Sequence, residues 1–147
     1  MLLAVAVIKA CALLTAADVA SVQGEKPAKA RESARGRDSS QCVIALPSAA
    51  KSVSLEVLRG LRAAQLANRL RVAAEVEGEE AGEDEQPAVE RVPGAGDEAF
   101  WAGPQAGLYV LRGDVLLRIA IAGKEGKEAT LAKLRLLADR AISHLPR

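Results

Sequence analysis

Gly113-Asp114, set between Leu108-Tyr109-Val110-Leu111-Arg112 and Val115-Leu116-Leu117-Arg118-Ile119, constrains this chain more than any other stretch. Glycine at the first of two turn positions suits a type II′ turn, whose twist matches that of two antiparallel strands. The turn fixes the register. Arg112 pairs with Val115, Val110 faces Leu117, and Leu108 faces Ile119 on one side of the sheet. Tyr109 faces Arg118 and Leu111 faces Leu116 on the other. A slip by one residue would scramble both faces, so the pattern specifies this pairing. Tyr109 and Arg118 can stack as a cross-strand pair. Arg112-Gly113-Asp114 also spells an adhesion tripeptide, but turn chemistry alone accounts for all three residues. A short aromatic strand precedes the hairpin, Gly96-Asp97-Glu98-Ala99-Phe100-Trp101, so all three aromatic residues of the chain lie together here.

The remaining segments read as elements that cover this hairpin. Thr15-Ala16-Ala17-Asp18 has the form of a capping box, and Gly24 is a natural C-terminal stop, giving a helix of about two turns. Residues 25–40 are polar and carry Lys26, Lys29, Arg31, Arg35 and Arg37, which predicts a mobile loop. Phosphate binding there lacks the interleaved aromatic residues that a nucleic-acid surface uses. Residues 42–46 and 53–58 read as strands, the second with Val53, Leu55 and Val57 alternating with Ser54 and Glu56. A helical pattern follows over 61–76, with Leu66, Leu70 and Ala73 on one face. Residues 77–88 are acidic and broken by Gly78, Gly82 and Pro87, a second expected mobile loop without the ligand spacing of a calcium loop. Residues 89–92 can add a short strand. The last helix spans 127–145, its apolar stripe formed by Leu131, Leu134, Ala138, Ala141 and Leu145. The expected fold is therefore α+β, an antiparallel sheet of hairpins packed against helices in the order α-ββ-α-(β)ββ-α, as one domain over 11–147.

Charge excludes some partners. Lys and Arg total 20 against 19 acidic residues, so no global field draws nucleic acid, and no apolar run is long enough for a transmembrane span. Residues 1–10 read either as the remnant of a signal segment behind a start codon assigned too late, or as a short apolar extension of the domain. The first reading places the protein outside the cytoplasm, whether periplasmic, secreted or lipid-anchored. A chain complete as given would be cytoplasmic.

Catalytic and cofactor motifs fail on context. Gly94-Ala95-Gly96-Asp97-Glu98-Ala99 matches a loose dinucleotide fingerprint, but Phe100-Trp101 follows it where a helix should begin. Asp97 and Glu98 are a candidate acid/base pair, yet neighbours on a strand point to opposite faces. Cys11, Cys42 and His144 are too few and too scattered for a metal site. His144 reads as a favourable charge at a helix C-terminus. Cys11 and Cys42 are either a disulfide, if the chain is exported, or two buried thiols. Closing that loop would stabilise the fold by roughly 3–4 kcal/mol in the chain-entropy model. Trp101, Tyr109 and Arg118 are the candidate binding surface, since aromatic residues beside arginine commonly anchor partners.

The set Cys11-Ala-Leu-Leu-Thr15-Ala-Ala-Asp18-Val19, Gly24, Cys42 and Gly94-x-Gly96-Asp97-Glu98-Ala99-Phe100-Trp101, followed by the hairpin and a final helix, resembles small bacterial exported or lipoprotein domains of unknown function. The likeness runs from Cys11 to Leu145. It implies a Cys11–Cys42 disulfide, a place in the cell envelope and an antiparallel α/β sandwich of the PsbP-like type. It brings no catalytic residue and no cofactor. The acidic insert and the short leader depart from the pattern. Two functional classes follow. One is a non-catalytic envelope module that binds an envelope protein or a small ligand. The alternative is a small hydrolase using Asp97 or Glu98.

Overall fold

The computed structural model describes residues 8–80 and 89–146. Among these residues seven strands form one antiparallel sheet: β1 (Lys29–Ala34), β2 (Ser39–Ala45), β3 (Val53–Arg59), β4 (Glu90–Arg91), β5 (Glu98–Trp101), β6 (Leu108–Arg112) and β7 (Val115–Ile121), in the spatial order β1-β2-β3-β7-β6-β5-β4. Among the described residues four α-helices accompany it: α1 (Ala16–Gln23), α2 (Gly60–Glu80), the single turn α3 (Gly103–Ala106) and α4 (Lys127–Ser143). The fold is α+β, as the sequence predicts.

The hairpin register is the expected one, from Arg112↔Val115 through Leu108↔Ile119. Gly113 has φ +60°, and among the described residues none other than glycine has a positive φ, so Asp114 does not. That combination is the type II′ turn. One face of the hairpin, with Leu108, Val110, Leu117 and Ile119, joins the main core, together with Val19 of α1 and Leu134, Leu137, Ala138 and Ala141 of α4. The other face, with Leu116, packs with Leu58, Phe100 and the α2 residues Ala63 and Leu70. Leu137 is fully buried while Leu131 and Leu145 are only partly so, which rotates the α4 stripe slightly from its expected centre.

Thr15 caps α1 through a reciprocal capping box with Asp18, and Gly24 ends the helix in the left-handed conformation. Cys11 and Cys42 are joined, with Cα atoms 5.0 Å apart. The bridge pins the 3₁₀ turn Ala10–Ala12 to β2 in the middle of the core face.

Two expectations about loops change. Residues 25–40 are not a loop throughout, because Lys29–Ala34 pairs along its length with β2. All six residues of β1 are exposed, so this edge strand carries no alternation of apolar and polar residues that would mark it. Helix α2 runs to Glu80, past its expected end at residue 76. The rest of the acidic segment expected to be a loop, residues 81–88, lies outside the described residues. Among the described residues, no helix is long and apolar enough to cross a membrane.

Candidate functional site: the uncovered half of the sheet

Helix α2 starts at the end of β3, where Gly60 adopts φ +64° and donates its N–H to the Asp114 carbonyl at 3.1 Å. A left-handed residue at that corner lets the chain turn back over the sheet at once. From there α2 crosses Leu58, Leu116 and Phe100 towards β4. It therefore covers one end of its face and leaves the other end bare. On the bare end Val43, Ser54 and Ala120 lie side by side on β2, β3 and β7. They floor an open groove of about 660 Å³, walled by Pro104 and Gln105 of α3 and by Lys124 after β7.

The α3 wall is held close by a glycine. Gly107 has φ +87°, and a Cβ there would collide with the backbone of Ile119 and Ala120. Only glycine tolerates both the dihedral and the approach. Ala120, small and 7% exposed, completes the contact.

Between the bare and covered ends runs a polar row, Gln41–Glu56–Arg118–Tyr109. Arg118 does not stack on Tyr109. Its guanidinium donates to the Ala106 carbonyl at 2.9 Å and lies 3.9 Å from Glu56. The cation over a ring is instead Arg91, 5.4 Å from the centre of Phe100. Burial pushes the Tyr109 hydroxyl above its ordinary pKa, with Arg118 pulling the other way, so it remains a protonated donor at neutral pH.

The expected patch of Trp101, Tyr109 and Arg118 does not form as one surface. Strand β5 pairs Trp101 with Leu108 and Phe100 with Tyr109, which puts Trp101 on the core face. Trp101 is buried there at 5% exposure, while Tyr109 and Arg118 point to the opposite face. A ring of that size gains most by full burial, and the register between β5 and β6 decides which side it takes.

Asp97 and Glu98 are separated as strand neighbours should be. Asp97 accepts from the Gly113 N–H at 2.7 Å and lies 3.7 Å from Arg112. Glu98 accepts from the Arg71 guanidinium at 2.6 Å. Each carboxylate is thus held by its own arginine: Asp97 braces the hairpin turn, and Glu98 ties β5 to α2.

The sequence gives no sign of one further cluster. His144, at the end of α4, lies with Nε2 3.0 Å from Oδ2 of Asp18. Arg140 approaches the other oxygen at 3.9 Å. Burial pushes Asp18 up, but hydrogen bonds from the Thr15 backbone and side chain and from His144, with the charge of His144, more than offset it, and its pKa is lowered. Among the described residues no serine, threonine or cysteine hydrogen-bonds to the imidazole. The cluster is a clamp between the start of α1 and the end of α4, 126 residues apart in sequence.

Of the sequence-predicted residues, then, the structure joins Cys11 to Cys42, places Tyr109 and Arg118 beside the groove, and takes Trp101 into the core. Comparison with family models, with curated proteins and with solved structures finds no match to the chain.

Proposed function

We propose that this protein is a non-catalytic binding domain of the bacterial cell envelope whose ligand seats on the uncovered half of the sheet. The groove over Val43, Ser54 and Ala120 is the observation that carries this reading. Its volume falls in the range of about 300–1,000 Å³ usual for small-ligand sites, and its floor belongs to three adjacent strands rather than to loops. The disulfide supports the envelope placement, because such bridges persist in oxidising compartments. The hydrolase alternative is less well supported, since Asp97 and Glu98 face apart and each is engaged by a different arginine.

Native mass spectrometry after incubation with an envelope small-molecule extract tests the proposal. The folded wild-type chain should retain an adduct that Ser54→Trp, which fills the groove from an accessible strand position, releases. An adduct equally retained by folded Ser54→Trp would place binding elsewhere. A hydrolytic activity abolished by Asp97→Asn or Glu98→Gln in folded protein would replace the binding reading with an enzymatic one.

A further inference from the structure

The groove has a charged margin that its lining does not include. Strand β1 pairs Arg31 with Val43 and Lys29 with Ala45, so both cations project on the same face as the groove floor. Arg31 is the direct cross-strand neighbour of Val43, with Cβ atoms about 5 Å apart in such pairs. The two cations stand roughly 7 Å from each other, two residues along one strand. On the far side Lys124 lines the groove itself.

The nearby acids do not balance these charges. Glu56 lies against Arg118, and Glu125, which lines the groove beside Lys124, is taken up by Lys133 at 2.9 Å. Glu32, next to Arg31 in sequence, points to the opposite face and accepts from the Cys11 N–H at 3.1 Å. Asp38 is paired with Arg62 at 3.2 Å. Lys29, Arg31 and Lys124 have no ion-pair or hydrogen-bond partner for their side chains among the described residues. A mostly apolar floor with an uncompensated positive margin is complementary to a molecule that is apolar along its body and anionic at one end.

We infer that the groove takes a long-chain carboxylate, with its acyl chain over Val43, Ser54 and Ala120 and its acid group at Arg31 and Lys29. The inference rests on the binding reading above and names its ligand class. Arg31 supplies the planar fork that matches a carboxylate, and Lys29 adds a second, mobile charge. A neutral amphiphile of the same chain length would leave both cations unmatched. A cationic one would be repelled.

Isothermal titration with laurate, monolauroyl glycerol and dodecyltrimethylammonium tests this below their aggregation concentrations. Laurate should bind wild-type protein at least tenfold more tightly than the other two. The exposed double variant Lys29→Glu/Arg31→Glu should lose at least tenfold for laurate while keeping its melting temperature. Ser54→Trp should lose laurate binding while remaining folded. Equal binding of laurate and monolauroyl glycerol, unmoved by the charge reversal, would overturn the acid specificity but keep the groove as a site. Laurate binding unchanged in Ser54→Trp would overturn the location. No binding of any of the three, with an extract adduct still displaced by Ser54→Trp, would overturn the ligand class alone and leave the binding reading standing. No binding and no adduct would remove both.

Discussion

The two faces of the sheet are made by the same strands and end differently. On the core face, Val53, Leu55 and Val57 of β3 lie under α1, α4 and the disulfide-pinned turn, and none exceeds 2% exposure. On the other face the same strand shows Ser54, Glu56 and Leu58, and only Leu58 meets a helix. A strand whose apolar side is sealed by two helices needs nothing from its second side, so that side is free to be half polar and half bare. The groove is therefore placed by the limited reach of one helix, α2. It costs the main core little, because that cluster is built on the other face of the sheet, and the smaller one under α2 lies beyond the polar row.

The largest expected effect concerns the core face. Replacing both Cys11 and Cys42 by serine removes a bridge that spans 31 residues. In the chain-entropy model this lowers stability by about 3–4 kcal/mol. Urea unfolding of the double variant should show that loss, with the anionic-ligand affinity retained in the protein that remains folded. A variant as stable as wild type would mean that α1 and α4 seal this face without help from the bridge.

A smaller effect belongs to the clamp where α1 meets α4. Asp18→Asn removes the charge that Thr15, His144 and Arg140 surround, and should destabilise by roughly 1 kcal/mol at neutral pH, the usual scale for a lost helix cap. The sign with pH follows from the lowered pKa of Asp18. A depressed carboxylate contributes stability above its unfolded value and loses it as pH falls through that value towards the folded one. The wild-type advantage over Asp18→Asn should therefore be full above about pH 4 and shrink below it. Paired urea titrations at pH 7, 4 and 3 read it directly. A difference that grew on acidification would show that the clamp does not depend on an ionised Asp18.

The uneven legibility of the sequence follows the same division. Elements that bury one side announce themselves, because burial imposes a period. The register from Leu108 to Ile119, the alternation of 53–58 and the α4 stripe are of this kind. So is the Thr15–Asp18 capping box, whose spacing is local. Strand β1 is silent, since it buries neither face and is held by backbone bonds to β2 and by the contact of Glu32 with the Cys11 N–H. The side that Trp101 takes has no local signal, because nothing local fixes the pairing of β5 with β6. The Asp18–His144 contact has no local signal at all. The groove itself is half legible: Ser54, Glu56 and Arg118 are visibly the polar members of alternating strands, but how far α2 would cover them depends on where it crosses the sheet.

The smallest expected effect separates the two faces most cleanly. Val53 and Val43 are the same residue on adjacent strands, one on each side of the sheet. Val53 is 1% exposed in the core and Val43 is 46% exposed at the groove. Val53→Ala should cost about 2 kcal/mol, since it withdraws two methyl groups from water-free packing and leaves part of their volume empty. Val43→Ala should move stability by no more than about 0.5 kcal/mol, as an exposed substitution does. The chemistry of the two changes is identical, so the contrast measures coverage and nothing else. Denaturant midpoints at two protein concentrations make the comparison complete. If Val43→Ala costs as much as Val53→Ala, and the cost grows with concentration, then a second copy of the chain covers the bare half of the sheet in solution. If Val43→Ala is silent in free protein but erases the stabilisation that laurate brings, the bare half is the ligand seat, and its exposure is what keeps it available.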